Sequence, residues 1–62
     1  MSKYIIIEIN YNGDAPADYD ADFISEDYEH ARHEYIRRCT NASKNTEIYI
    51  CMILDSFERK NI

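Results

Sequence analysis

Apolar and polar residues alternate in strict order near the start of the chain. The apolar positions are Ile5, Ile7, Ile9 and Tyr11, and the polar positions between and after them are Glu8, Asn10 and Asn12. A period of two is typical of a half-buried β-strand. Tyr4 and Ile6 interrupt the polar face at its beginning, so we expect another element or another chain to cover that end.

A turn and a second alternating segment follow. Asn12 and Gly13 both tolerate positive φ and predict a turn, which Asp14 and Pro16 extend to an expected loop of about five residues. Over residues 17–24, aspartates again separate alanines and aromatic residues. This period of two favours a strand paired with the first. A structured loop is the alternative, because Ala and Asp are poor strand formers.

The next segment has a helical period. Ser25, followed by Glu26 and Asp27, is typical of a helix start, with a capping side chain and then carboxylates near the positive end of the dipole. Apolar residues then recur every three or four positions, which predicts an amphipathic helix over residues 26–41. The stripe consists of Tyr28, Ala31, Tyr35, Cys39 and Ala42. The polar residues 41–45 end it.

The last patterned segment, residues 47–57, is apolar on both faces. One face carries Ile48, Ile50, Met52 and Leu54, and the other Tyr49, Cys51, Ile53 and Phe57. Two apolar faces predict a central strand covered on both sides. One helix covers only one side of a small sheet, so we expect the other side to be buried in a dimer or against a partner. Residues 58–62 are expected to form a polar tail.

These elements predict one α+β domain over residues 1–62, with one helix packed on a two- to three-stranded, mainly antiparallel sheet in the order β-β-α-β. Sixty-two residues are near the lower size limit for a fold without disulfides or metal. Self-association is therefore expected. The two cysteines, Cys39 and Cys51, are too few for a disulfide framework and are expected to be reduced thiols. We find neither a signal peptide nor a membrane span of ~20 residues, so the expected location is the cytoplasm.

Negative charge is concentrated in one segment. Residues 14–29 contain seven acidic residues and no Lys or Arg, whereas the rest of the chain has five acids and seven bases, and together they give the net charge of −5. If residues 17–24 form a strand, Asp18, Asp20 and Asp22 project about 7 Å apart, close to the spacing of phosphates in an extended nucleic-acid strand. Such a row would fit the basic groove of a nucleic-acid-binding protein. A solvated face that serves only solubility is the alternative.

Other site chemistries have weaker support. Asp18, Asp20, Asp22, Glu26 and Glu29 have the ligand spacing of an EF-hand calcium loop, but Phe23 stands where that loop needs Gly. His30 and His33 share a helix face without a third ligand. No nucleophile lies in a recognisable catalytic motif. We therefore expect no metal, no cofactor and no enzyme activity.

The principal hypothesis is a non-enzymatic inhibitor that binds a basic, nucleic-acid-binding protein. Its expected partner-binding residues are Asp18, Tyr19, Asp20, Asp22, Glu26, Asp27 and Glu29. In size, charge and lack of a catalytic motif, the chain resembles the small inhibitors that phages and mobile elements carry, such as anti-CRISPR and anti-restriction proteins. The alternative is a structural or regulatory homodimer acting through an apolar face formed by Tyr49, Cys51 and Ile53. The acidic pI of about 4.7 disfavours direct nucleic-acid binding.

Overall fold

A computed structural model describes residues 2–57 and residue 59. The elements are β1 (Lys3–Asn12), β2 (Ala15–Ser25), α1 (Tyr28–Thr40) and β3 (Thr46–Ile53). All three strands form one antiparallel sheet in the order β2-β1-β3. This confirms the predicted α+β class and shows that the acidic segment 17–24 is part of a strand. Apart from Arg59, the predicted tail at 58–62 lies outside the described residues.

The β1–β2 hairpin is tighter than predicted. Asn12 pairs with Ala15, so the connection is only Gly13 and Asp14 instead of a loop of about five residues. Gly13 has φ of 65°, a conformation that a residue without a Cβ adopts at little cost. Pro16 lies inside β2, opposite Tyr11 at a shift in register. A proline is tolerated there because β2 is an edge strand.

A second irregularity divides β2 into two parts. Ile6 pairs with Phe23 and Glu8 with Asp20, so β2 has one residue more than β1 over this interval. The backbone N–H of Asp22 donates to Asp20 Oδ1 at 3.2 Å across the irregularity. An extra residue moves the following side chains to the other face. Phe23 therefore lies on the face opposite to Tyr19, although simple alternation placed the two together.

The N-cap of the helix lies two residues after the predicted cap. Asp27 is the N-cap, and its Oδ1 accepts the backbone N–H of Glu29 at 3.0 Å. The predicted cap, Ser25, instead accepts the N–H of Asp27 at 3.0 Å. A cap must have extended backbone immediately before the first turn, and the chain reaches that point at Asp27. The helix ends at Thr40, and its C-cap, Asn41, is the first residue of the polar segment predicted to stop it.

The helix covers the face of the sheet that includes Tyr4 and Ile6. Ile6 and Ala31 are fully buried, and the rings of Tyr4 and Tyr28 meet edge to face with centroids 5.2 Å apart. This confirms that another element covers the start of β1. Of the predicted helical stripe only Ala31 is buried, while Tyr28 and Cys39 are exposed.

The opposite face of the sheet is apolar and has no covering element among the described residues. Strand β1 contributes Ile5, Ile7, Ile9 and Tyr11. The pairing register adds Tyr19 and Ile24 from β2 and Tyr49, Cys51 and Ile53 from β3. We call these nine residues the open face. The helix connects β2 to β3, which run parallel on either side of β1. Connections between parallel strands of one sheet are almost always right-handed. The strand order therefore determines which face of the sheet the helix covers, regardless of how apolar the opposite face is.

The prediction that the last strand is central is wrong. β1 is central and β3 is an edge strand that ends at Ile53, four residues before Phe57. Two apolar faces indicate cover above and below the sheet, but they do not indicate a hydrogen-bonded strand on each side. In β3 one apolar set faces the helix layer and the other belongs to the open face.

Candidate functional site

One arginine side chain lies close to four carboxylates between the helix and the sheet. Arg38 Nε donates to Glu34 Oε2 at 2.6 Å, and its Nη2 lies 3.4 Å from Asp22 Oδ1. Its Nη1 lies 3.8 Å from both Glu8 Oε1 and Asp20 Oδ2. The Arg38 and Glu34 side chains are only 13% and 15% exposed. We call Arg38 and these four carboxylates the Arg38 cluster.

A second arginine completes the charge arrangement. Arg37 donates to both oxygens of Glu34, at 3.0 Å from Nε and 2.6 Å from Nη2. Hydrogen bonds from Arg37 and Arg38 lower the pKa of Glu34 to about 2. Hydrogen bonding with Asp20, followed by that with Arg38, lowers the pKa of Asp22. Arg37 and Arg38 therefore both bind carboxylates of the same chain.

The Arg38 cluster borders a cleft of about 330 Å3 that also includes Asn41, Ala42 and Ser43. The Nη1 group of Arg38 is buried and has no hydrogen-bond partner within the described residues. It nevertheless lies near two carboxylates, which provide favourable electrostatic interactions without a direct hydrogen bond. The cluster orders the middle of β2 against the helix, and its four carboxylates exceed the guanidinium groups of Arg38 and Arg37 by two charges.

The other acids of residues 14–29 lie along β2 and around the start of the helix. Asp14, Asp18, Glu26, Asp27 and Glu29 are exposed, and none has an ion pair within the described part of the chain. Together with Asp20 and Asp22 they line an edge strand, from the hairpin to the first helical turn. We call this set of seven the acidic edge. An 11-residue strand extends over about 36 Å at ~3.3 Å per residue.

The structure divides the predicted partner-binding residues into groups. Asp18 and Asp20 lie on the helix side of β2, opposite Asn10 and Glu8, whereas Tyr19 belongs to the open face. Tyr19, expected to bind the partner together with these aspartates, therefore points away from them, since neighbouring residues of a strand point to opposite faces. Asp18 accepts the backbone N–H of Tyr19 at 2.9 Å.

The arrangement does not resemble a calcium loop. Asp18, Asp20 and Asp22 follow an extended strand instead of curving around a common centre, and two of them contact Arg38. His30 packs edge to face against Phe23, with centroids 5.2 Å apart. Within residues 2–57 and 59, no group of three or more His, Cys, Asp or Glu side chains is placed to hold a metal ion.

A polar group marks one end of the open face. Tyr49 donates to Glu47 Oε2 at 2.7 Å, and hydrogen bonding to Glu47 raises the pKa of Tyr11 to about 12. The same two tyrosines lower the pKa of Glu47, Tyr11 having the larger effect. Glu47 and Tyr49 are two residues apart in a strand, a spacing that would have indicated this contact from the sequence. Cys51 is half-buried on the open face, and Cys39 is exposed on the helix; both are free thiols.

Comparison with known proteins gives no assignment. No family model, curated protein or solved structure matches this chain. Within the described residues, no helix has the length and apolar character needed to span a membrane. Function is therefore argued from the two surfaces, the acidic edge and the open face.

Proposed function

We propose that this protein is a non-enzymatic inhibitor that binds a basic, nucleic-acid-binding protein through its acidic edge. The observation that supports this proposal is the position of seven carboxylates along an edge strand and the helix start that follows it. No other strand of the described sheet covers that edge, so a partner has access to its whole length. We place the protein in the cytoplasm, or in the host cytoplasm if a phage encodes it.

The length of the acidic edge suits the basic groove in which a protein binds nucleic acid. Its length of about 36 Å corresponds to one turn of duplex DNA, which is ~34–36 Å. A protein that neutralises phosphates along one turn presents Lys and Arg side chains over a similar distance. Complementary charge over such a surface accelerates association and selects the partner. The binding is expected to weaken as salt increases.

Because of the Arg38 cluster, the carboxylates of the acidic edge differ in how much charge they present to a partner. Asp20 and Asp22 are held by Arg38 and are partly neutralised. Asp18, Glu26 and Glu29 have no such contact, so they contribute the charge most available to a partner. Because Arg38 holds Asp20 and Asp22, this part of β2 is ordered before a partner binds. The loss of conformational entropy on binding is therefore smaller.

The test uses three reversals away from the Arg38 cluster: Asp18→Lys, Glu26→Lys and Glu29→Lys in one variant. The immobilised wild-type chain is expected to capture a nucleic-acid-binding protein from a host lysate, and duplex DNA is expected to compete with that capture. The triple variant is expected to capture none of it. Reversal of Asp20 or Asp22 is a poorer test, because a lysine there would lie next to Arg38 and disturb the fold.

Asp55→Lys is the matched control for each single reversal, since Asp55 is exposed and lies outside the acidic edge. Its capture should equal that of the wild type, whereas each single reversal in the edge should reduce capture. Far-UV circular dichroism verifies folding of every variant. Capture that persists in the triple variant, or that duplex DNA does not displace, would refute the proposed function.

A further inference from the structure

We infer that the open face binds a second copy of this chain, so that the protein is a homodimer with two sheets packed face to face. This interface lies on a different side of the sheet from the helix and the Arg38 cluster. It is therefore independent of the acidic edge, and its test requires no target protein.

The large exposed area of the chain supports the inference that a partner covers part of it. A folded monomer of 7.4 kDa is expected to expose about 4,200 Å2, whereas this chain exposes 5262 Å2. The difference is about 1,000 Å2, and only its share on the open face counts towards the ~800 Å2 that each protein buries in a stable interface. Leu54 and Phe57, beyond β3, account for part of it. The open face also contributes, since Tyr19, Ile24 and Tyr49 are 69%, 54% and 43% exposed.

The interior is correspondingly small. Ile6 and Ala31 are the only hydrophobic side chains that are buried in the described part of the chain. Chains of this size commonly depend on disulfides, a metal or oligomerisation for stability. The two cysteines are free, and no metal cluster is present among the described residues. Packing two open faces at the usual separation of ~10 Å would provide a second apolar layer.

The distribution of charge favours a copy of the chain over a basic partner on this face. Lys3 and Glu47 lie on the same side of the sheet as the open face, near its opposite ends, and their charges balance. The acidic residues that give the chain its net charge lie along β2 and on the helix side. Two copies that meet through their open faces therefore keep those residues apart, and the repulsion between two chains of charge −5 is small at the interface.

The test is the mass of the full chain in solution with matched lysine substitutions. Sedimentation equilibrium at micromolar concentrations is expected to give twice the 7.4 kDa chain mass. Tyr49→Lys on the open face is expected to raise the dissociation constant by about 30-fold or more. Ile36→Lys is the control, because Ile36 lies on the helix with almost the same exposure, 44% against 43%.

A second pair tests the same interface should Tyr49→Lys fail to fold. Ile24→Lys lies on the open face and Met52→Lys on the helix side, and the two residues are 54% and 51% exposed. Only Ile24→Lys is expected to shift the mass towards the monomer. A wild-type chain that stays monomeric at 100-fold higher concentration would overturn the inference. Equal weakening by both members of a pair would also overturn it, because association would then not depend on the open face.

The free thiols give an independent measurement on the unmodified chain. Cys51 lies on the open face, whereas Cys39 is exposed on the helix. Raising the protein concentration should slow the reaction of Cys51 with a thiol reagent and leave that of Cys39 unchanged. Equal rates for Cys51 at low and high concentration would contradict a dimer through this face.

Discussion

Replacing Arg38 with glutamine is expected to change how stability depends on pH, because three carboxylates lose their ion-pair partner. In the wild type, the pKa of Glu34 is lowered from 4.5 to about 2 in the folded state. A lowered pKa means that the ionised form stabilises the fold. This contribution is complete above pH 4.5, decreases as the pH falls, and is lost near pH 2.

In Arg38→Gln, the four carboxylates of the Arg38 cluster remain close together with only Arg37 nearby. Arg37 still binds both oxygens of Glu34 and keeps its pKa lowered, but within the described residues it forms no ion pair with the other three carboxylates. Like charges at short distance disfavour ionisation, so protonation of Glu8, Asp20 or Asp22, which lose Arg38 as their ion-pair partner, now relieves repulsion. The variant should become more stable, relative to the wild type, as the pH falls from neutral to about pH 4.

The magnitude follows from the burial of the pair. An exposed ion pair contributes at most about 1 kcal/mol, and breaking a fully buried one costs about 3–5 kcal/mol. Arg38 and Glu34 are 13% and 15% exposed, which places the cost of Arg38→Gln at about 2 kcal/mol at neutral pH. For a domain of this size, that cost lowers the melting temperature by about 10 °C.

The assay is thermal unfolding by far-UV circular dichroism across this pH range, at one protein concentration. Arg32→Gln is the matched control, because it removes the same charge from an exposed helical position without an ion pair in the described residues. Its stability should stay within about 0.5 kcal/mol of the wild type. The reasoning would be refuted if Arg38→Gln had the same melting temperature as Arg32→Gln, or if its stability depended on pH as that of the wild type does.

Four further substitutions test local features. Glu47→Gln should return the pKa of Tyr11 from about 12 towards 10.0, measured by NMR titration of its ring carbons; an unchanged value would exclude Glu47 as the cause. Gly13→Ala should cost about 1 kcal/mol in urea unfolding, because φ there is positive, whereas Asn45→Gly, also at positive φ, should be neutral or slightly stabilising. Asp27→Ala should cost about 1 kcal/mol by removing the helix cap, and no loss would show that another group caps this helix.

The sequence was sufficient for the elements and their order. Alternation identified β1, and the recurrence of Tyr28, Ala31 and Tyr35 identified the helix, because these periods follow directly from backbone geometry. The strand-or-loop alternative for residues 17–24 remained open, because the propensities of Ala and Asp opposed the period. Residues 17–24 form a strand because they pair with β1, and such tertiary pairing outweighs a low intrinsic β-propensity.

The candidate site was only partly predictable. The acidic edge is continuous in sequence and was visible as a run of charge. The Arg38 cluster was not visible, because it joins Glu8, Asp20 and Arg38 from three elements. The irregularity between Ile6 and Glu8 was also hidden, since one additional residue in a strand leaves no mark in composition. The face of the sheet that receives the helix depends on crossover geometry, which apolar periodicity does not encode.

The two edges of the sheet differ in their resistance to aggregation. β2 is interrupted by Pro16, aspartates and two register shifts, features that discourage another strand from pairing. β3 has no such protection over residues 48–53, a stretch with no charge, proline or glycine and the composition of segments that form cross-β fibrils. Repulsion between the acidic chains, effective over ~10 Å in 0.1 M salt, keeps these edges apart. We therefore expect the acidic edge also to limit aggregation, so that a polycation that neutralises it without covering β3 would promote fibril formation.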